Sequence, residues 1–232
     1  FGLGSPLGID LPGAKGGGIF TAEQYTKRYG SAKWKSTYNI SNSIGQGEIG
    51  ITPLQMANIM AIVANRGFYY RPHLIKGIGD KQIAKEEYTE KMFAGVDAVH
   101  YEPVIEGMSR AVNLAGGTAY RLKINGIEMC GKTGTVQNAH GENHAVFFAF
   151  APRVNPKIAI AVFVENAGYG GTWAGPIASM LTEQYINDTI TLPKYLQDRI
   201  YNGYLLPKVE KKETEVKKSS TTKDSIKVRP QV

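Results

Sequence analysis

Between Thr52 and Gly67 nearly every position is apolar. Leu54, Met56, Ala57, Ile59, Met60, Ala61, Ile62, Val63 and Ala64 leave almost no polar face. A helix apolar nearly all round is a buried one. Thr52 and Gln55 have the spacing of a capping box, Pro53 suits the first turn, and Gly67 is a stop signal. A second helix is predicted over residues 103–114, ending at the Gly116-Gly117 pair. Beyond it the pattern changes. Residues 127–135, with the apolar approach Ile127, Met129 and Cys130, and the apolar, aromatic and β-branched runs 144–151 and 158–165 read as three strands. The connector Pro152-Arg153-Val154-Asn155-Pro156-Lys157 has hairpin length, so the strands form an antiparallel meander, with 158–164 as a central buried strand. Helices are also predicted over residues 21–29, 172–185 and 193–204. Extended pieces are predicted around Ile9 and Leu11 and over 69–75. The fold class is therefore α/β of the α+β type: an antiparallel sheet flanked by helices.

The two ends differ from this body. Residues 1–18 carry Gly2, Gly4, Pro6, Gly8, Pro12, Gly13, Gly16, Gly17 and Gly18, a loop composition. Residues 208–232 are Lys, Glu, Ser and Thr with few apolars and are expected to be a disordered tail, leaving 1–207 as the folded part. The tail also holds much of the charge. It has eight Lys/Arg against four Asp/Glu, out of a net +7 for the chain, so the body is only mildly basic. That argues against a nucleic-acid face, which needs cations clustered on the folded part. No apolar run approaches the ~20 residues of a membrane-spanning helix. Cys130 is the only cysteine, which excludes an internal disulfide. Its apolar surroundings make it a small buried residue rather than a nucleophile. The first residues have neither the basic start nor the apolar centre of a signal peptide.

The candidate chemistry lies in Gly131-Lys132-Thr133-Gly134-Thr135, at the end of the first strand. Side chains alternate along a strand, so Lys132 and Gly134 share one face and Thr133 and Thr135 the other. Such an edge offers a cation, hydroxyls and backbone groups to a peptide carrying a carboxylate. Three other motifs are discounted. Gly45-Gln46-Gly47-Glu48-Ile49-Gly50 spells a dinucleotide fingerprint, but Asn39–Ser43 before it is a poor strand and the helix starts after the last glycine. His140 and His144 have a zinc-like spacing, which needs a helix face. Gly141 and Asn143 make the segment a solvated connector, and no metal or other cofactor is expected. Ser220-Thr221-Thr222-Lys223 is a Ser-x-x-Lys in a polar tail, without the apolar flank of a buried helix.

Taken in order, the motifs resemble a family. They are Ser43-Ile44-Gly45-Gln46-Gly47-Glu48, Thr52-Pro53-Leu54-Gln55-Met56-Ala57, Ala64-Asn65-Arg66-Gly67, Arg71-Pro72-His73-Leu74-Ile75, Gly117-Thr118-Ala119, Gly131-Lys132-Thr133-Gly134-Thr135-Val136-Gln137-Asn138 and Val164-Glu165-Asn166. Together they look like the transpeptidase domain of a class B penicillin-binding protein, and the Gly-Gln-Gly-Glu spelling is closer to the elongation-type branch. Lys-Thr-Gly is one of three signatures of active-site serine enzymes of the penicillin-binding and β-lactamase type. The other two, Ser-x-x-Lys at a credible place and Ser-x-Asn, are not in this sequence. The resemblance thus implies the penicillin-binding transpeptidase fold, incomplete at its N-terminal side.

The resemblance implies a peptidoglycan D,D-transpeptidase that cross-links D-Ala-D-Ala stem peptides through an acyl-serine and is a β-lactam target. Lys132, Thr133, Gly134 and Thr135 would bind substrate. Lys132 would supply charge beside the serine, and the Thr135 N–H would be an oxyanion donor. The nucleophile would lie outside this chain, so the chain alone is expected to be inactive. Membrane and cell-wall elongation partners would be reached through absent N-terminal parts, with the domain in the periplasm of an inner-membrane-anchored protein. The alternatives are a serine β-lactamase or β-lactam sensor of the same fold, and a non-catalytic truncated binding module.

Overall fold

A computed structural model describes residues 1–31, 33–82 and 86–206. Its first elements are α1 (Ala22–Tyr29), α2 (Ser36–Ser43), α3 (Pro53–Ala64) and the two-residue strands β1 (Phe68–Tyr69), β2 (Gly77–Ile78) and β3 (Lys81–Gln82). Then come α4 (Glu86–Thr89), β4 (Met92–Phe93), α5 (Glu102–Asn113), β5 (Cys130–Val136), β6 (His144–Ala151), β7 (Ile158–Val164), α6 (Ala174–Asn187) and α7 (Lys194–Asn202). The expected tail, and with it Ser220–Lys223, lies outside the described residues.

The meander is present, in the order β5-β6-β7 and antiparallel throughout. Register sets Lys132 opposite Phe148, Thr133 opposite Phe147 and Gly134 opposite Val146. The sheet is covered on both faces. On one, Met129, Ala145, Phe147 and Ala149 pack with Ala174 and Ala178 of α6. α6 also lies close to the turn at Leu122: a Cβ on Gly175 would lie 2.3 Å from Leu122 Cδ1. On the other face, Cys130 and Phe150 pack with Ile62 of α3 and Ile105 and Met108 of α5. Phe147 and Phe150 are fully buried, each stabilising the fold by roughly 1.5–3 kcal/mol on area alone. α7 packs on α6 through Met180, Leu192 and Leu196.

α3 starts as its sequence predicts. The Thr52 side chain accepts from the Gln55 N–H, the Gln55 side chain accepts from the Thr52 N–H, and Pro53 fills the first turn. Two expectations are corrected. β7 is not central but an outer strand of the described sheet, and each of its residues is only half-buried. Residues 39–43, a poor strand by their sequence, lie in α2, a helix the sequence pattern did not mark, which buries no residue and lacks a side-chain cap. It is held by aromatic contacts instead, with the Tyr38 ring centroid 4.9 Å from Tyr29 and 5.6 Å from Tyr25.

The extended segment over 69–75 reduces to β1, paired with β4. Beyond it the Leu74 and Ile75 N–H groups donate to the Asp10 carboxylate at 2.8 and 3.0 Å, in place of a strand partner. These two bonds hold the Asp10 carboxyl below the usual carboxylate range. A lowered pKa means that the tether is present above the unfolded-state value and is lost as pH falls through the folded value. Protection of the Leu74 and Ile75 amides, measured against their intrinsic exchange rates, should therefore be lost selectively as pH falls through the lowered Asp10 pKa. Asp10→Ala should lack that protection at neutral pH.

Candidate active-site strand

β5 is braced where it begins. Asn113 Nδ2 of α5 donates to the Met129 carbonyl at 2.9 Å. Ser109 donates to Glu128 at 2.6 Å, and Arg153 bridges Glu128 and Glu106 at 3.2 and 2.9 Å. The Ser109 hydroxyl, followed by Arg153, lowers the Glu128 pKa. Thus α5, the start of β5 and the β6–β7 connector form one unit. Cys130 sits inside it, and burial, with a smaller push from Glu128, raises its thiol to about 12. That keeps the sulfur protonated and unreactive, as expected for a packing residue.

The sequence-predicted quartet lies just beyond. Alternation places Lys132 and Gly134 on the face shared by α3 and α5, and Thr133 and Thr135 on the face shared by α6. The two sets still meet, because β5 is the outer strand on this side of the described sheet. Lys132 is exposed, and its Nζ wraps over the outer edge. It donates to the Thr133 carbonyl at 3.0 Å and reaches Thr133 Oγ1 at 3.4 Å. A cation, a hydroxyl and a carbonyl are thereby gathered at one edge.

Beside Lys132 a cavity of about 610 Å³ opens between β5 and α5. Val104, Met108, Ala111 and Leu114 line it with apolar surface, and Arg110, Thr118 and Lys132 add polar groups. An apolar concavity with few convergent polar groups is the usual form of a small-ligand site. Gly134 keeps this face low. A Cβ there would meet nothing closer than Val146 Cβ, at 3.4 Å. Packing within the chain therefore does not demand a glycine here.

The other singled-out histidines separate. His140 is in the exposed β5–β6 hairpin, whereas His144 opens β6 half-buried. There its Nδ1 accepts from the Asn166 N–H at 3.0 Å, so the reading of a purely solvated connector fails for His144. Among the described residues no group of three or more His, Cys, Asp or Glu is placed to hold a metal ion. None of the described helices is long and apolar enough to cross a membrane.

A helix-flanked antiparallel sheet with Lys-Thr-Gly on its outer strand defines the penicillin-binding and serine β-lactamase class of fold. The family model "Penicillin binding protein transpeptidase domain" matches residues 1–183, and the chain belongs to that family. Within it the chain is of the elongation type of class B. It is 34% identical over 210 residues to the peptidoglycan D,D-transpeptidase MrdA of Haemophilus influenzae, covering 82% of this chain and 32% of that protein. Against the MrdA of Escherichia coli K12 it is 30% identical over 205 residues, covering 81% and 31%. The chain thus spans about a third of the length of these curated relatives. Among solved structures, Pseudomonas aeruginosa PBP2 in complex with WCK 5153 superposes with a TM-score of 0.70 at 30% identity, covering 84% of this chain and 42% of that one. Helicobacter pylori PBP2, solved in a complex with MreC, gives a TM-score of 0.66 at 27% identity, covering 79% and 33%.

Proposed function

We propose that this chain is the substrate-docking half of a peptidoglycan D,D-transpeptidase, and that Lys132, Thr133, Gly134 and Thr135 are its binding edge. The observation that carries this reading is the Lys132 Nζ gathered with Thr133 at the free edge of β5, beside an open apolar cavity. A stem peptide would lie along that edge and take its main-chain hydrogen bonds from it. Its terminal carboxylate would meet the Lys132 ammonium and the Thr133 hydroxyl. In an antiparallel strand the N–H and C=O of one residue point the same way, and every second residue repeats the direction. The Thr133 carbonyl faces outward, so the Thr135 N–H does too. That supports its assignment as a donor to the oxyanion formed when a serine Oγ attacks the penultimate D-alanine carbonyl. The terminal D-alanine then leaves, and an amine from a second stem resolves the acyl-serine.

β-Lactams, as mimics of the D-Ala-D-Ala end, would dock on the same edge. The complete enzyme would work at the bacterial cell envelope with the elongation machinery, as the complex of the relative with MreC suggests. The 232 residues hold no credible Ser-x-x-Lys, so the chain by itself should not be acylated. Incubation with a fluorescent penicillin should leave no covalent, heat-stable label on it. A labelled band would overturn the assignment of the nucleophile to a segment outside these residues.

A further inference from the structure

The far face of the Lys132–Thr135 strand is covered in an unusual way. Gly134 and Val146 both direct their side positions toward α3 and α5, which leaves a backbone hollow on the α6 face. Gly170 fills it. A Cβ on Gly170 would lie 2.2 Å from the Val146 carbonyl oxygen and 2.4 Å from that of Gly134. Its neighbour Gly171 approaches Thr133, whose Cγ2 would be 3.7 Å from an added Cβ. The loop after β7 therefore lies directly against the backbone of the proposed substrate edge.

Three polar side chains fix that loop. The Asn166 N–H donates to His144 Nδ1 at 3.0 Å. Asn138 Nδ2, just past the end of β5, donates to Asn166 Oδ1 at 2.7 Å. The Gly168 N–H donates to the Asn143 carbonyl at 2.7 Å. Asn166 holds a left-handed conformation, φ 52°, which asparagine tolerates better than most residues. His144 is steadied by Phe163 of β7, ring centroid to ring centroid 5.3 Å. Accepting this bond uses the tautomer that leaves a lone pair on Nδ1.

We propose that Asn138, His144 and Asn166 form a positioning latch, which seats the 166–171 loop behind Lys132–Thr135 and so holds the proposed docking edge in register for acyl transfer. The proposal rests on the reading of β5 as the docking strand. None of the three residues touches the substrate edge; they act through Gly170. Asparagine at 144 can still present an acceptor near the Nδ1 position, whereas leucine keeps bulk against Phe163 and removes the acceptor. A packing role for His144 would favour leucine, and the latch favours asparagine.

Two measurements decide. In this full chain, nitrogen chemical shifts should show an unprotonated Nδ1 at His144. Exchange of the Asn166 and Gly168 amides should rise at least about tenfold in His144→Leu and much less in His144→Asn. In the complete enzyme, the rate of acylation by a fluorescent penicillin should fall about 10- to 100-fold in His144→Leu and be largely kept in His144→Asn. Equal amide exchange in wild type and His144→Leu, or better acylation with leucine than with asparagine, overturns the latch. If the wild-type complete enzyme is not acylated at all, the docking reading fails instead, and amide exchange alone then decides whether the latch exists.

Discussion

Replacing Lys132 by alanine in the complete enzyme should cut acylation by β-lactams about 100- to 1,000-fold, the range typical for losing one preorganised electrostatic contact to a reacting group. The side chain is exposed, and among the described residues its hydrogen bonds run to the neighbouring Thr133. Its loss should therefore move stability by no more than about 0.5 kcal/mol. Separating the two effects is the point of the experiment. A buried lysine would confound them, but this one reaches over an edge and supports nothing behind it. Lys132→Arg should recover only part of the rate. It keeps the charge, but its planar fork cannot reproduce an ammonium placed within 3.0 Å of the Thr133 carbonyl. Normal labelling of Lys132→Ala, with an unchanged thermal melt, would remove Lys132 from the site.

The parts of this fold that were legible share a property: local pattern and tertiary context agree. The bounds of β6 match its apolar run residue for residue, because Ala145, Phe147 and Ala149 on one face and Phe148 and Phe150 on the other find packing partners. α3 announces its start through Thr52, Pro53 and Gln55. α2 does the opposite. Ser36, Asn39, Ser41, Asn42 and Ser43 have no helical periodicity, and the element forms where Tyr38 meets two tyrosines of α1. β7 reads as a central strand because its composition is that of a buried one, and composition is silent about how many neighbours a strand has.

The candidate site divides along the same line. The quartet 132–135 is contiguous, so a strand's two-residue alternation was enough to place its side chains. The meeting of Lys132 with Thr133 across opposite faces required knowing that β5 is an outer strand. The Asn138–Asn166–His144 contacts join positions up to 28 residues apart. Their only trace in sequence is a histidine at the start of a strand and glycines in a loop, features common in unrelated proteins.

Gln55 carries the largest structural prediction. The sequence assigns it to a capping box, and it does accept from the Thr52 N–H at 3.0 Å. Its amide nitrogen, however, points away from the helix, into the glycine-rich loop at the start of the chain. There Nε2 donates to the carbonyls of Gly2, Ser5 and Gly16 at 2.7, 3.1 and 2.7 Å. The residue is 1% exposed. None of that loop's large apolar side chains is fully buried, and Gly16 lies so close to Ser5 that a Cβ would come within 2.1 Å of the Ser5 carbonyl carbon. One primary amide therefore organises a segment that hydrophobic packing cannot. Gln55→Met, close in volume, would deprive these carbonyls of their donor and lose the reciprocal half of the capping box, while Thr52 Oγ1 still caps the residue-55 N–H. Of the three bonds only that to Gly16 is buried, and a buried group left without a partner costs about 1–3 kcal/mol, so with the lost half of the capping box the total should be about 2–3 kcal/mol. Gln55→Glu should be worse at neutral pH, because a carboxylate would face three carbonyl oxygens. It should recover in part as pH falls, since a protonated carboxyl can donate one bond. Denaturant melts of the three proteins at two pH values would check the order. If Gln55→Met unfolds at the wild-type midpoint, the loop is held by something other than this amide.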